Sequence, residues 1–171
     1  MTGLRKSAVA IVLSRRPAGE LLVLVGRRHP RTRFLAGFYA FPGGGWDRAD
    51  GDLARDGEEA CLRRTAAREL AEETGLEVAP EAFLAAGRRV TPPFSPERFD
   101  SRMFVVELPE PARPTGGGDA ELLDLQWAEP RELHRRWREL EIRVAPPLIP
   151  ILGELAAAEN ASVEEIAARV A

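Results

Sequence analysis

Glu69, Glu72 and Glu73 fall within five residues of a stretch that reads as helix. On a helix, residues three and four apart share a face, so Glu69 stands beside both of the others. Each like-charge pair of that kind costs an isolated helix about 0.2–0.5 kcal/mol. The cost is offset if something cationic sits on that face, and close, hard oxygen donors suit Mg²⁺ or Mn²⁺. The plainer alternative is a solvated acidic helix end, with Arg63, Arg64 and Arg68 offsetting the charge through exposed ion pairs. Without a cation, three close carboxylates titrate as a coupled set in which at least one pKa is raised.

The flanks bear on that choice. Upstream, Phe41-Pro42-Gly43-Gly44-Gly45 reads as a turn whose backbone approaches a ligand with no side chain in the way, or as an ordinary hairpin turn. Downstream, Gly75 stands just past the last periodic residue, where a helix C-cap glycine belongs.

Phe41-Pro42-Gly43-Gly44, followed by Arg68-Glu69-Leu70-x-Glu72-Glu73-x-Gly75-Leu76, resembles the Nudix box. That pattern runs Gly-x5-Glu-x7-Arg-Glu-U-x-Glu-Glu-x-Gly-U, where U is a bulky aliphatic residue. The second half matches at every fixed position. In the first half the pattern's Glu falls on Ala60 and its Gly on Ala54. The turn glycine is instead Gly44, and the loop from there to Arg68 is ten residues longer than the pattern. The added segment, Trp46 to Glu59, carries Asp47, Asp50, Asp52, Asp56, Glu58 and Glu59. Glu59 is the nearest replacement for the missing Glu, one residue out of register.

The resemblance implies hydrolysis of a diphosphate linkage with Mg²⁺ or Mn²⁺ as cofactor. It assigns the metal to Glu69, Glu72 and Glu73, with a backbone carbonyl at Gly44 as a further ligand, and it has Arg68 orient the adjacent glutamates. Glu69 is the first candidate for the general base. Glu121, just after the Gly116-Gly117-Gly118-Asp119 run, is the second, unless it is simply a solvated loop acid.

A second resemblance lies before the turn. Arg28-His29-x3-Arg33-x3-Gly37-x3-Phe41-Pro42-Gly43-Gly44 is similar to the extension carried by the coenzyme A diphosphatases of the superfamily. The long acidic loop and the run Thr91 to Arg102 are similar to the branch named for the peroxisomal Nudix 19 enzyme. Coenzyme A or an acyl-CoA is therefore the leading substrate. ADP-ribose, a dinucleoside polyphosphate or an oxidised nucleoside triphosphate is the alternative, and a non-catalytic nucleotide-sensing module is the reading of another class. Arg28 and Arg33 are candidates for substrate phosphates, or else part of a basic surface loop. Arg98, Asp100 and Arg102 alternate along a strand and share a face. These three either line a substrate pocket, with Arg98 and Arg102 as the substrate-binding candidates, or make a salt-bridge ladder. His29 and His134 lack a paired ligand nearby and read as surface residues.

The elements that must position these groups follow from period and punctuation. Residues 6–14 and 20–27 read as a hairpin around Pro17-Ala18-Gly19, and 28–45 as a loop with a short extended piece near Tyr39–Phe41. A helix runs from about 58 to 74, with Leu62, Ala66 and Leu70 as its core stripe. Strands follow at 82–90 and 102–108, and at 123–128 with Leu123, Leu125 and Trp127 on one face. Pro130 opens a helix to about Leu140, with Leu133, Trp137 and Leu140 inward. Two helices close the chain within about 146–171, the last with Ser162 and Glu165 as a capping box. This pattern predicts an α/β fold, an α/β/α sandwich on a mixed sheet, as the Nudix resemblance also implies.

At 171 residues, the chain is the size of one domain, 1–171. A net charge of −3 gives no reason to expect nucleic acid or an acidic membrane as partner, which leaves a small nucleotide-type diphosphate. A homodimer is compatible with the sequence. Lys6 is the only lysine, and the other basic side chains are arginines, whose rigid fork suits phosphate. The single cysteine, Cys61, reads as a small core residue and suits a reducing compartment, so the expected location is cytoplasmic. The apolar runs are too short or too broken by proline to span a bilayer or serve as a signal peptide.

Overall fold

The computed structural model describes residues 3–32, 35–95, 97–116 and 121–171. Strand β1 (Arg5–Arg15) contains Ala8-Val9-Ala10-Ile11-Val12-Leu13, apolar at every position. Such a run suits a strand covered on both faces. Alternation divides it: Ala8, Ala10 and Val12 enter one core cluster, while Ile11 and Leu13 enter another with Val9 packed against it. β6 (Phe99–Glu107) lies parallel to β1 and divides likewise, Phe104 and Val106 to the first cluster and Met103 and Val105 to the second.

β2 (Leu21–Arg28) pairs antiparallel with the end of β1, from Leu13↔Val23 to Arg15↔Leu21, and then the two strands part. The segment from Tyr39 to Gly45 takes up the space between them. β3 (Tyr39–Ala40) pairs with β2, and β4 (Gly43–Gly45) pairs with β1 through Val9↔Gly43, Ala8↔Gly44 and Ser7↔Gly45. β5 (Leu84–Val90) pairs antiparallel with β6, and β7 (Leu122–Ala128) with β2. Among the described residues this makes one mixed sheet of seven strands.

Helix α1 (Glu58–Thr74) covers the first face with Leu62, Ala66 and Leu70, all fully buried. Burying each of the two leucines is worth about 1.5–3 kcal/mol. α2 (Pro130–Arg138), α3 (Leu148–Ala157) and α4 (Val163–Val170) cover the second face, where Leu133, Leu152, Leu155 and Ile166 join the cluster of Ile11 and Leu13. The result is the three-layer sandwich that the patterning predicts. Two terminal signals also hold. Gly75 adopts φ 72° and donates its N–H to the Ala71 carbonyl, and Ser162 and Glu165 cap α4 reciprocally. Cys61 is buried in α1. No helix among the described residues is long and apolar enough to cross a membrane.

Three local expectations are corrected. Gly43–Gly45 is a strand paired to β1 rather than a turn. α2 stops at Arg138, and Leu140 takes φ 60° and is 89% exposed, so it leaves the inner stripe to Leu133 and Trp137. In β7, Asp124 at φ 51° and a register shift opposite Val25–Arg27 break the alternation, so the buried residue is Leu122 and not Leu123.

Candidate active site

The core stripe of α1 sets the rotation of its last turns. With Leu70 against the sheet, Glu73, three residues on, points inward and is 6% exposed. The Glu69 side chain is 16% exposed and that of Glu72 58%. β4 forms the floor beneath them. The Gly43 N–H donates to Glu73 Oε2 at 2.9 Å. A Cβ on Gly44 would stand 2.5 Å from the Glu69 carboxyl carbon, and one on Gly43 would stand 2.5 Å from the Ala8 carbonyl oxygen. At Gly43 and Gly44 the space between β1 and these carboxylates admits no side chain unless a neighbour moves.

The electrostatics follow from burial. Desolvation pushes the Glu73 carboxyl up to about 8; its bond from Gly43 opposes this, the charges of Glu69 and Glu121 add to it, and Arg28 pulls it back. Desolvation also raises Glu69, against the pull of Arg68 and with the push of Glu72 and Glu121. Buried carboxylates held above their ordinary range lack sufficient positive charge nearby.

Arg68 is the hub. Its Nη1 donates to Glu69 Oε1 at 2.8 Å and Glu72 Oε2 at 3.0 Å, and its Nη2 to the Gly45 carbonyl at 3.0 Å. Its other partner is Asp50, which sequence reasoning did not single out as a site residue. Asp50 is buried and accepts from Arg68 Nε at 2.9 Å and Nη2 at 3.0 Å. Burial pushes the Asp50 carboxyl up, but the bonds from Arg68, the Asp47 backbone and Thr65 outweigh it, and the net shift is downward. Glu59, the nearest replacement by register, instead pairs with Arg63 at 2.7 Å. The spacing Asp47-x-x-Asp50, a capping box on a short turn, together with Thr65 and Arg68 three apart on one helix face, was the available signal.

Arg68, Glu69, Glu72, Glu73 and Gly44 are thus brought together. Glu121, exposed at the foot of β7, is near enough to raise both Glu69 and Glu73, and Arg28 Nη2 lies 3.7 Å from Glu121 Oε2. Arg33 lies outside the described residues. Arg98 and Arg102 do not join the group. Arg102 faces Glu58 at 3.9 Å, in the first turn of α1, roughly 16 Å along the helix from Glu69. Asp100, beside it on β6, is bonded by Lys6 Nζ at 2.8 Å and by Arg88, so Asp100 belongs to a salt-bridge ladder across β1, β6 and β5. His29 Nδ1 accepts from the Arg31 N–H, and His134 stacks on Trp137.

Among the described residues no three His, Cys, Asp or Glu side chains already converge as a ligand group, because Glu72 turns to Arg68 and Glu73 to Gly43. The donor set nevertheless fits a hard divalent cation. α1 offers carboxylates at i, i+3 and i+4, two of them desolvated beyond what the local cations offset, over a backbone floor that a single methyl would obstruct.

Comparison with known proteins identifies the family. The NUDIX domain model matches residues 4–148. A NUDIX hydrolase from Alicyclobacillus acidocaldarius is 29% identical, with TM-score 0.86 over 100% of this chain and 99% of that one. More distant likenesses include the NUDIX domain of Shewanella oneidensis NrtR, solved with ADP ribose (17% identity, TM-score 0.66, 92% and 88% covered). Another is a C. elegans Ap4A hydrolase (14% identity, TM-score 0.61, 90% and 96% covered). No curated protein sequence matches. Since the family model spans most of the chain and a solved hydrolase follows it from end to end, the chain belongs to the NUDIX domain family and is one of its hydrolases.

Proposed function

We propose that this hydrolase uses Mg²⁺ or Mn²⁺ to cleave the diphosphate linkage of a nucleoside diphosphate derivative, and that its substrate is coenzyme A or an acyl-CoA. The observation that carries the metal-dependent part is the placing of Glu69 and Glu72 on Arg68, and of Glu73 on the Gly43 N–H, along the glycine strand Gly43–Gly45. A divalent cation bound there offsets phosphate charge and lowers the pKa of a bound water. Glu69, Glu72 and Glu73 would hold it, with the Gly44 carbonyl as a further donor. Glu69 takes a proton from the attacking water, with Glu121 as the second candidate for that role. The new bond forms between water oxygen and phosphorus, the bridging P–O bond breaks, and the leaving phosphate keeps the electron pair. Arg68 holds Glu69 and Glu72 in place, and Arg28 and Arg33 pair with substrate phosphates.

The coenzyme A part rests on the spacing from Arg28 through Arg33 and Gly37 to Phe41-Pro42-Gly43-Gly44. The second reading, ADP-ribose or a dinucleoside polyphosphate, is favoured by relatives of similar fold solved with ADP ribose or as an Ap4A hydrolase. Purified protein with Mn²⁺ is assayed against coenzyme A, ADP-ribose, Ap4A and an oxidised nucleoside triphosphate, with both products identified. Release of 3′,5′-ADP and a phosphopantetheine is expected. An intact coenzyme A beside a cleaved ADP-ribose would replace the first substrate by the second.

A further inference from the structure

The stretch between β4 and α1 is longer than the family pattern and rich in acid, yet its acids do not face the three glutamates as additional ligands. Most of them cap turns. Asp47 Oδ1 accepts from the Ala49 N–H, Asp52 Oδ1 accepts from the N–H groups of Ala54 and Arg55, and Asp56 Oδ2 accepts from the Asp52 N–H. Asp50 differs. Its side chain is 3% exposed, and every bond to it is a specific one. Oδ1 accepts from Arg68 Nε at 2.9 Å; Oδ2 accepts from Arg68 Nη2 at 3.0 Å, Thr65 Oγ1 at 2.9 Å and the Asp47 N–H at 3.0 Å.

The turn that carries Asp50 is itself fastened down. Arg64 Nη1 donates to the Asp50 carbonyl at 2.8 Å, and the Trp46 indole donates to the Gly51 carbonyl at 3.2 Å. Arg64, Thr65 and Arg68 thus grip one short turn from one side of α1. A carboxylate fork against a guanidinium fork fixes the plane of the arginine, which a single bond does not. Once that plane is fixed, the remaining Arg68 N–H groups fall on Glu69, Glu72 and the Gly45 carbonyl. Two of the three glutamates and the end of the floor strand are therefore held by one side chain, and that side chain is held by Asp50.

We infer that Asp50 is a positioning residue of the metal centre, supplying from the inserted segment the carboxylate that Ala60 does not. The inference rests on the reading that Glu69, Glu72 and Glu73 hold the divalent cation. Asparagine at this position keeps the shape but accepts at only one atom and turns an amide donor toward Arg68. Glu69 and Glu72 then lose their fixed partner, and outer-shell losses of this kind weaken metal binding by about 10–100-fold.

The test is Mn²⁺ binding to the full chain, read by electron paramagnetic resonance of the free ion, with folding checked by circular dichroism. Asp50→Asn is expected to weaken Mn²⁺ binding about tenfold or more. Asp50→Glu is expected to recover part of the loss. Asp50→Asn combined with Arg68→Lys is expected to be little worse than Arg68→Lys alone, since both act through one guanidinium. A folded Asp50→Asn protein that binds Mn²⁺ within about twofold of wild type overturns the inference, as do additive losses in the double variant. If Asp50→Asn does not fold, Thr65→Val gives the same reading. It removes one donor to Oδ2 and is expected to cost about threefold in Mn²⁺ affinity, and an unchanged affinity overturns the inference. No Mn²⁺ uptake by wild type would instead sink the metal-centre reading, a different result from uptake indifferent to Asp50.

Discussion

At Gly44 the chain leaves no room for a methyl group, because the Glu69 carboxyl carbon would lie 2.5 Å from it. Gly44→Ala should therefore push Glu69 out of place while leaving both cores untouched. A shift near 1 Å at a reacting group costs about a hundredfold. The expected outcome is a kcat lower by that order with a melting temperature close to wild type, measured by steady-state kinetics and calorimetry. The choice of base is tested with amide variants. If Glu69 is the base, Glu69→Gln should lower kcat by about 10²–10⁴-fold and Glu121→Gln by far less, and a reversal would transfer the role to Glu121. The glutamates were legible in sequence because helical spacing puts them on one face, and they and Arg68 gained a role through the resemblance of Arg68 to Leu76 to the Nudix box. Asp50 was not, because its partners Thr65 and Arg68 are distant in sequence, and no local period announces a turn folding back onto a helix.

At the scale of elements, the chain uses buried charge to join strands. Asp100 on β6 accepts from Lys6 on β1 and from Arg88 on β5. The Arg88 guanidinium, against the effect of burial and with the help of Lys6, holds its carboxyl down at about 2. A carboxylate with a lowered folded-state pKa adds stability above its ordinary pKa near 4 and loses it as pH falls toward 2. The stability gap between wild type and Asp100→Asn should be roughly 2 kcal/mol at pH 7 and close between pH 4 and 2, as read from urea midpoints. Ser162→Ala should cost about 1 kcal/mol, since it removes the side-chain acceptor for the Glu165 N–H. The helices and their caps were legible because period and punctuation agree there. β4 was not, since three glycines cannot alternate in polarity, and Leu140 was misjudged because its spacing continues a helix that has already ended.

At the scale of the molecule, the sheet is covered on both faces by clusters that contain none of the candidate ligands. The fold is therefore expected to stand without a cation, unlike small domains whose metal supplies the folding free energy. Chelation should abolish turnover and leave far-ultraviolet circular dichroism and the melting temperature nearly unchanged, and added Mg²⁺ or Mn²⁺ should restore activity. Unfolding on chelation would contradict this separation. The sandwich itself was predictable, because Ala8 to Leu13 is apolar without interruption and the segments around it carry one-sided stripes.

The strand beneath the glutamates presents peptide groups and nothing else. Its amides and carbonyls are the same whatever codons vary around it, and any residue larger than glycine at its centre meets the Glu69 carboxylate. At Gly43 and Gly44 substitution therefore cannot reshape that surface without displacing a neighbour. Changes in substrate choice are then expected at neighbouring positions that do carry side chains, such as Arg28 at the end of β2 and Glu121 beside it.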